Sequence, residues 1–213
     1  AVRALYRDLG FTRVRIGEPQ VSLSATGESA EVDVAIEEGT RFTVDEVTFS
    51  GGGDTAEEEL RAVTPIRSGQ TFSPRVLAES EQALTDHLDA KGYPEVNVGS
   101  RAELTADEAD VALDIDAGRR KSVGSIAIEG NRATKEKTIA KALTFGRGDL
   151  VSKQAFLASQ QQLYRSGLFA NVRLTYAPIP GGDGTEQAVT VRVAEAPPWN
   201  LGLGVGYDSE DGA

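Results

Sequence analysis

A chain of 213 residues with 39% apolar and 26% charged residues has the make-up of a soluble globular protein, with room for one large domain or two to three small ones. It has no cysteine and one histidine, which excludes disulfide frameworks and thiol nucleophiles and leaves zinc without its usual ligands. The net charge of −11 argues against nucleic acid as a partner, because phosphate binding needs a positive footprint.

The first residues, VRALYRDLG, already read as helix with no signal peptide before them, so the chain is expected to be a fragment of something longer. No apolar run approaches the ~18 residues of a membrane helix. The charge is unevenly spread. Residues 1–42 carry five basic and seven acidic groups, 43–118 five and seventeen, and 119–196 twelve and six, with three further acids in the last stretch. The basic third stretch would be drawn to an anionic surface or acidic partner, unless it is a solvated face of mixed charge.

In chain order, LYRDLGFTRV (5–14) leads through a turn into a strand, and VDVAIEEGTRF (32–42) follows. VDEVTFSG (44–51) alternates apolar and polar, the mark of a half-buried strand. Gly51, Gly52 and Gly53 supply a positive-φ turn, and Asp54 with Glu57, Glu58 and Glu59 places negative charge at a helix N-terminus. A second helix starts at Ser73-Pro74, a capping residue before a proline in the first turn, and carries Val76, Leu77, Ala83, Leu84 and Leu88 as one apolar stripe. Gly92 ends it where a left-handed C-cap is wanted. Strands follow at 96–104 and 109–117, the latter with Val111, Leu113 and Ile115 inward and Asp110, Asp114 and Asp116 outward.

The pattern then starts again. At an offset of 79 residues VGSIAIEG (123–130) lies over VDEVTFSG, and VSKQAFLASQQQL (151–163) over FSPRVLAESEQAL (72–84), so that Ser73, Ser80 and Leu84 meet Ser152, Ser159 and Leu163. Gly130-Asn131 supplies the turn and Thr134 the helix cap. Only four steps separate Leu163 from Gly167, against eight from Leu84 to Gly92, so this second helix is expected to be shorter by about one turn of ~3.6 residues. LYRDLGFTRV and VDVAIEEGTRF resemble LYRSGLFANV (163–172) and VALDIDAGRRK (111–121), a partial third copy in front. Short linkers (Glu38 to Thr40, Gly118 to Lys121) predict semi-rigid neighbours with a limited hinge.

No active site emerges. His87, between Asp86 and Asp89 in mid-helix, reads as a solvated surface residue with no serine partner. Asp110, Asp114 and Asp116 share one strand face and need no catalytic role. The triple glycine lacks a following lysine and meets three glutamates, which would repel a phosphate. Neither a metal nor a cofactor is expected.

Gly130-Asn131, Thr134, Leu163-Tyr164, Gly167, Phe169 and Val172 resemble the polypeptide-transport-associated (POTRA) repeat. Ser50-Gly51-Gly52-Gly53 and Pro94 depart from its pattern in the preceding copy. The resemblance implies an α+β fold of tandem repeats, each β-α-α-β-β, with two helices covering one face of a three-stranded mixed sheet. Residues 1–42 would be the C-terminal part of one repeat, 43–118 a complete repeat and 119–196 the membrane-proximal one. In 197–213, Leu201, Leu203, Val205 and Tyr207 alternate with glycines, which suits the first transmembrane strand of a barrel, unless this is a glycine-rich extension.

The resemblance further implies a periplasmic scaffold of an outer-membrane barrel-assembly factor of the BamA type. Its partners would be unfolded outer-membrane proteins, accessory lipoproteins or subunits, and the outer membrane through a C-terminal barrel. The second strand of each repeat would be an open edge that takes up extended peptides by β-augmentation: Val14, Arg15 and Ile16; Val96, Asn97 and Val98; Val172, Arg173 and Leu174. Arg119, Arg120 and Lys121 would form a basic patch near the membrane. A proline at Asn97 would weaken capture. Two alternatives stay open: the POTRA arm of a two-partner-secretion or autotransporter-assembly translocator, and a secreted binding repeat protein without a barrel.

Overall fold

The computed structural model describes residues 2–23 and 29–197. The chain divides into two compact units, one of residues 1–122 with 150–154 and one of residues 123–149 with those from 155 onward. The alternating stretch predicted as a barrel strand lies outside the described residues.

The first unit opens with helix α1 (Val2–Asp8) and four short strands. β1 (Arg15–Ile16) pairs antiparallel with β4 (Ile36–Glu37), and β2 (Gln20–Leu23) with β3 (Ala30–Asp33). A complete β-α-α-β-β set follows: β5 (Thr43–Gly51), α2 (Glu57–Val63), α3 (Pro74–Ala90), β6 (Asn97–Thr105) and β7 (Glu108–Asp116). β7 is central, parallel to β5 and antiparallel to β6. Its alternation decides this place, because Val111, Leu113 and Ile115 all bury fully against Leu84 and Leu88 of α3 and Leu60 of α2. Ser73 caps α3 by accepting from the Val76 N–H, with Pro74 in the first turn, as the sequence predicts.

A second such set follows, β8 (Ser122–Glu129), α4 (Glu136–Lys141), α5 (Lys153–Arg165), β9 (Phe169–Pro178) and β10 (Glu186–Glu195), with β10 central; all but its residues Ser122, Lys153 and Gln154 form the second unit. Its interior is built from Ile139, Leu163, Val189, Val191 and Val193, with the tilted rings of Phe145 and Phe156 4.9 Å apart. The helices α3 and α5 have 17 and 13 residues, the one-turn difference read from the glycine spacing. The aligned serines explain themselves: Ser80 accepts from the Ile66 N–H at 3.1 Å, and Ser159 from the Thr144 N–H at 2.9 Å. Each ties the loop after the first helix of its β-α-α-β-β set to the second helix of that set.

Two local expectations are corrected. Thr134 does not cap α4, which has Lys135 at that position without a side-chain bond; Thr134 instead donates its N–H to Glu195. Asn131 does not adopt positive φ; Gly130 takes that role at +87°, and the Asn131 side chain instead donates to the Thr134 carbonyl at 2.9 Å.

Candidate peptide-binding edge

In a three-stranded sheet both outer strands have one row of main-chain groups facing away, and what covers each row decides whether it can accept a new strand. The start of the β5 row is covered from within. Val44 donates to Gln70 O at 2.8 Å and accepts from the Gly69 N–H at 2.7 Å, while Arg61 reaches the Val47 carbonyl. β8 repeats this with Val123, Asp149 and Gly148.

The second strands of the sets, β6 and β9, are the opposite edges. Which of their residues face outward follows from two side-chain bonds. In β9 the Val172 N–H donates to Tyr164 Oη at 3.1 Å and its carbonyl accepts from Gln160 Nε2, so Val172 points away from β10. The edge predicted at Val172, Arg173 and Leu174 is therefore occupied at its first residue by the unit's own α5. Arg173 pairs with Arg192, and as an alternate residue it turns its main chain toward β10. In β6 the Leu104 carbonyl accepts from Arg13 at 3.4 Å, so the even-numbered residues face out. Val98, Ser100 and Ala102 then present a run of N–H and C=O groups, and among the described residues no hydrogen bond reaches that row between them.

Several predicted residues move within this picture. Val96 precedes β6 and is buried, and Asn97 turns its main chain toward β7, opposite Asp116. A proline at Asn97 would therefore break the ladder and not the open row. Val14 is buried ahead of β1, and Arg15 pairs with Glu37 at 3.8 Å on a two-residue strand. Of the basic patch, Arg119 and Arg120 are exposed, but Lys121 is buried because its ammonium is drawn in to Glu95 and its N–H to the Gly92 carbonyl. His87 is not a solvated residue among acids. It is half-buried and 3.0 Å from Glu59, which also holds Lys91. The Lys91 hydrogen bond, followed by the Lys91 charge and the His87 bond, holds the Glu59 carboxyl below its ordinary range.

The sequence hid two carboxylate positions. Asp89 is buried and accepts from Ser152 Oγ at 2.7 Å and from the Lys153 and Gln154 N–H groups at 2.9 and 3.1 Å, all within the first unit. Earlier in the same unit Asp8 accepts from Ser73 Oγ at 3.1 Å. The surrounding main chain repeats too: Phe42 and Lys121 donate to the carbonyls of Gly10 and Gly92, and the Arg41 and Arg120 guanidiniums reach those of Leu9 and Lys91. The only trace in the sequence is an Asp placed shortly before a Gly-aromatic pair, in DLGF and DAKGY.

Glu195, at the end of β10, accepts from the N–H groups of Arg132, Ala133 and Thr134 at 2.7 to 3.1 Å. The Thr134 bond first, then those of Ala133 and Arg132, lower its pKa to about 2. A carboxylate whose folded pKa lies below its unfolded value stabilises the fold above the ordinary range near 4.5 and loses that contribution as pH falls toward 2. Between pH 6 and about pH 3 the stability of the second unit should therefore fall more steeply in the wild type than in Glu195→Gln, which acid titration of unfolding midpoints measures. Parallel curves would contradict this.

The model of the POTRA family, surface antigen variable number repeat, matches residues 42–118 and 122–196. The outer membrane protein assembly factor BamA of Nitratidesulfovibrio vulgaris is 24% identical over 215 residues, covering 98% of this chain and 27% of that protein. BamA of Neorickettsia risticii is 26% identical, covering 83% of this chain and 24% of its own length. The chain thus spans about a quarter of the curated relatives it matches. The crystal structure of Haemophilus influenzae BamA POTRA3-5 superposes with a TM-score of 0.61 at 25% identity, over 91% of this chain and 77% of that one. The two β-α-α-β-β sets, the family match across both and this superposition agree, and the chain belongs to the POTRA family as a tandem-repeat segment of α+β fold similar to that of BamA.

Proposed function

We propose that this chain is periplasmic scaffold of an outer-membrane protein assembly factor, and that it captures extended segments of unfolded outer-membrane proteins on the β6 edge of the first unit. The observation that carries the reading is the uncovered row at Val98, Ser100 and Ala102, where the starts of the β5, β8 and β9 edges are covered from within. Main-chain bonding of this kind is indifferent to side-chain identity, as a receptor for many barrel precursors requires. On the same reading residues 1–42 are the end of a preceding repeat and the second set is the membrane-proximal one. Arg119 and Arg120 would then lie near anionic head groups or an acidic accessory subunit.

Ser100→Pro removes one outward N–H without touching the ladder to β7, a position at which an edge strand tolerates proline. A synthetic peptide of about ten residues with alternating apolar side chains, the pattern of a barrel strand, should bind Ser100→Pro at least five-fold more weakly than the wild type, since one main-chain bond is worth ~1 kcal/mol. Ser100→Ala keeps the N–H and should bind as the wild type does. Equal affinity for a folded Ser100→Pro protein would remove β6 from the account.

A further inference from the structure

The two repeats serve as controls for each other, and their second helices differ sharply on one face. In α3 the positions Ala78, Glu79, Glu81, Thr85 and Asp86 form a small, acidic surface, with Ala78 and Glu79 exposed and the other three half-buried. At the offset of 79 residues, α5 places Leu157, Ala158, Gln160, Tyr164 and Arg165 there. Every carboxylate is gone, and two large apolar side chains stand where alanine and threonine were. Leu157 and Tyr164 are seven residues apart, two turns along one helix face, and Leu168 follows in the turn. They are 57%, 42% and 44% exposed. Tyr164 and Gln160 also reach the Val172 main chain, so this face of α5 runs beside β9 and closes the start of its edge to strand addition.

The surroundings specify the charge of what fits. Residues 151–182 contain no aspartate or glutamate, and the two basic residues of α5, Lys153 and Arg165, sit four residues before Leu157 and next to Tyr164, in a chain with 33 acidic groups. An apolar stripe with basic neighbours, beside the closed start of a strand edge, selects side-chain packing over main-chain pairing and favours carboxylates around the apolar anchors.

We propose that the Leu157–Tyr164–Leu168 face is a docking surface for an acidic amphipathic helix of a partner protein, separate from the peptide edge on β6. The test uses the 213-residue chain and a synthetic helix of about four turns with leucines on one face and glutamates flanking them. Its control is the same peptide with lysine for glutamate. Isotope-labelled amide spectra should shift around Leu157, Tyr164 and Leu168 on adding the acidic peptide, and the lysine analogue should bind at least ~ten-fold more weakly. Leu157→Ser and Leu168→Ser, both exposed and harmless to the core, should each lower the affinity by a similar factor. Equal binding of the two peptides, shifts confined to β6, or self-association that Leu157→Ser abolishes would each overturn the proposal, the last by making a second copy the occupant.

Discussion

Gly130→Ala should unfold the second unit well below the melting temperature of the wild type, with a loss of about 3 kcal/mol or more. Gly130 has φ +87°, where a side chain alone costs ~1–2 kcal/mol. A Cβ there would also overlap the carbonyl oxygen of Val193, and neither partner is a flexible side-chain tip. Relief requires displacing β10 beside the buried Val191 and Val193, or moving the loop whose N–H groups hold Glu195. Gly167 makes the comparison clean, since its φ is +69° but no atom lies within 4 Å of an added Cβ. Gly167→Ala should show the conformational cost alone. By calorimetry, Gly130→Ala should lower the Tm of the second unit by roughly 12–24 °C, and Gly167→Ala by less than half of that. Similar shifts for both would show that the collision is relieved cheaply.

Removing the Asp89 carboxylate is expected to cost about 3 kcal/mol, because alanine leaves the Ser152 hydroxyl and the N–H groups of Lys153 and Gln154 without the acceptor that all three share. Those N–H groups belong to a helix start, where no intrahelical acceptor exists and negative charge is favoured. Asp89→Asn keeps the carbonyl but not the charge or the second acceptor oxygen, and should cost roughly half as much. Ser152→Ala removes one bond of three and should cost ~1 kcal/mol. Urea midpoints for the three variants should fall in that order. A loss below ~0.5 kcal/mol in Asp89→Ala would mean that water replaces the carboxylate.

What the sequence revealed was whatever repeats or alternates over a few residues. Val111, Leu113 and Ile115 announce a central strand because nothing distant is needed to see the period. Ser80 and Ser159 stand out because an aligned serine inside an apolar stripe has no purpose unless its hydroxyl ties something down. The glycine spacing gave the relative lengths of α3 and α5 for the same reason. Hidden were the features that depend on a partner far along the chain. Nothing in the sequence marked Asp89, because its partner Ser152 lies 63 residues away, and Thr134 resembled a cap because Glu195, its actual partner, is 61 residues distant. Lys121 was read with Arg119 and Arg120 as one basic run, although Glu95 draws it inward. The edges were legible as strands but not in their parity. Only the bonds from Arg13 to Leu104 and from Gln160 and Tyr164 to Val172 separate an open row from a closed one.

The most direct measurement is amide hydrogen exchange of the 213-residue chain with and without a saturating alternating peptide, read residue by residue along β6 and β9. Capture on the open row should slow exchange at Val98, Ser100 and Ala102 and leave Val172 unchanged, since its N–H is already bound to Tyr164. Protection that appears on β9, or a peptide that binds without slowing any β6 amide, would contradict the account.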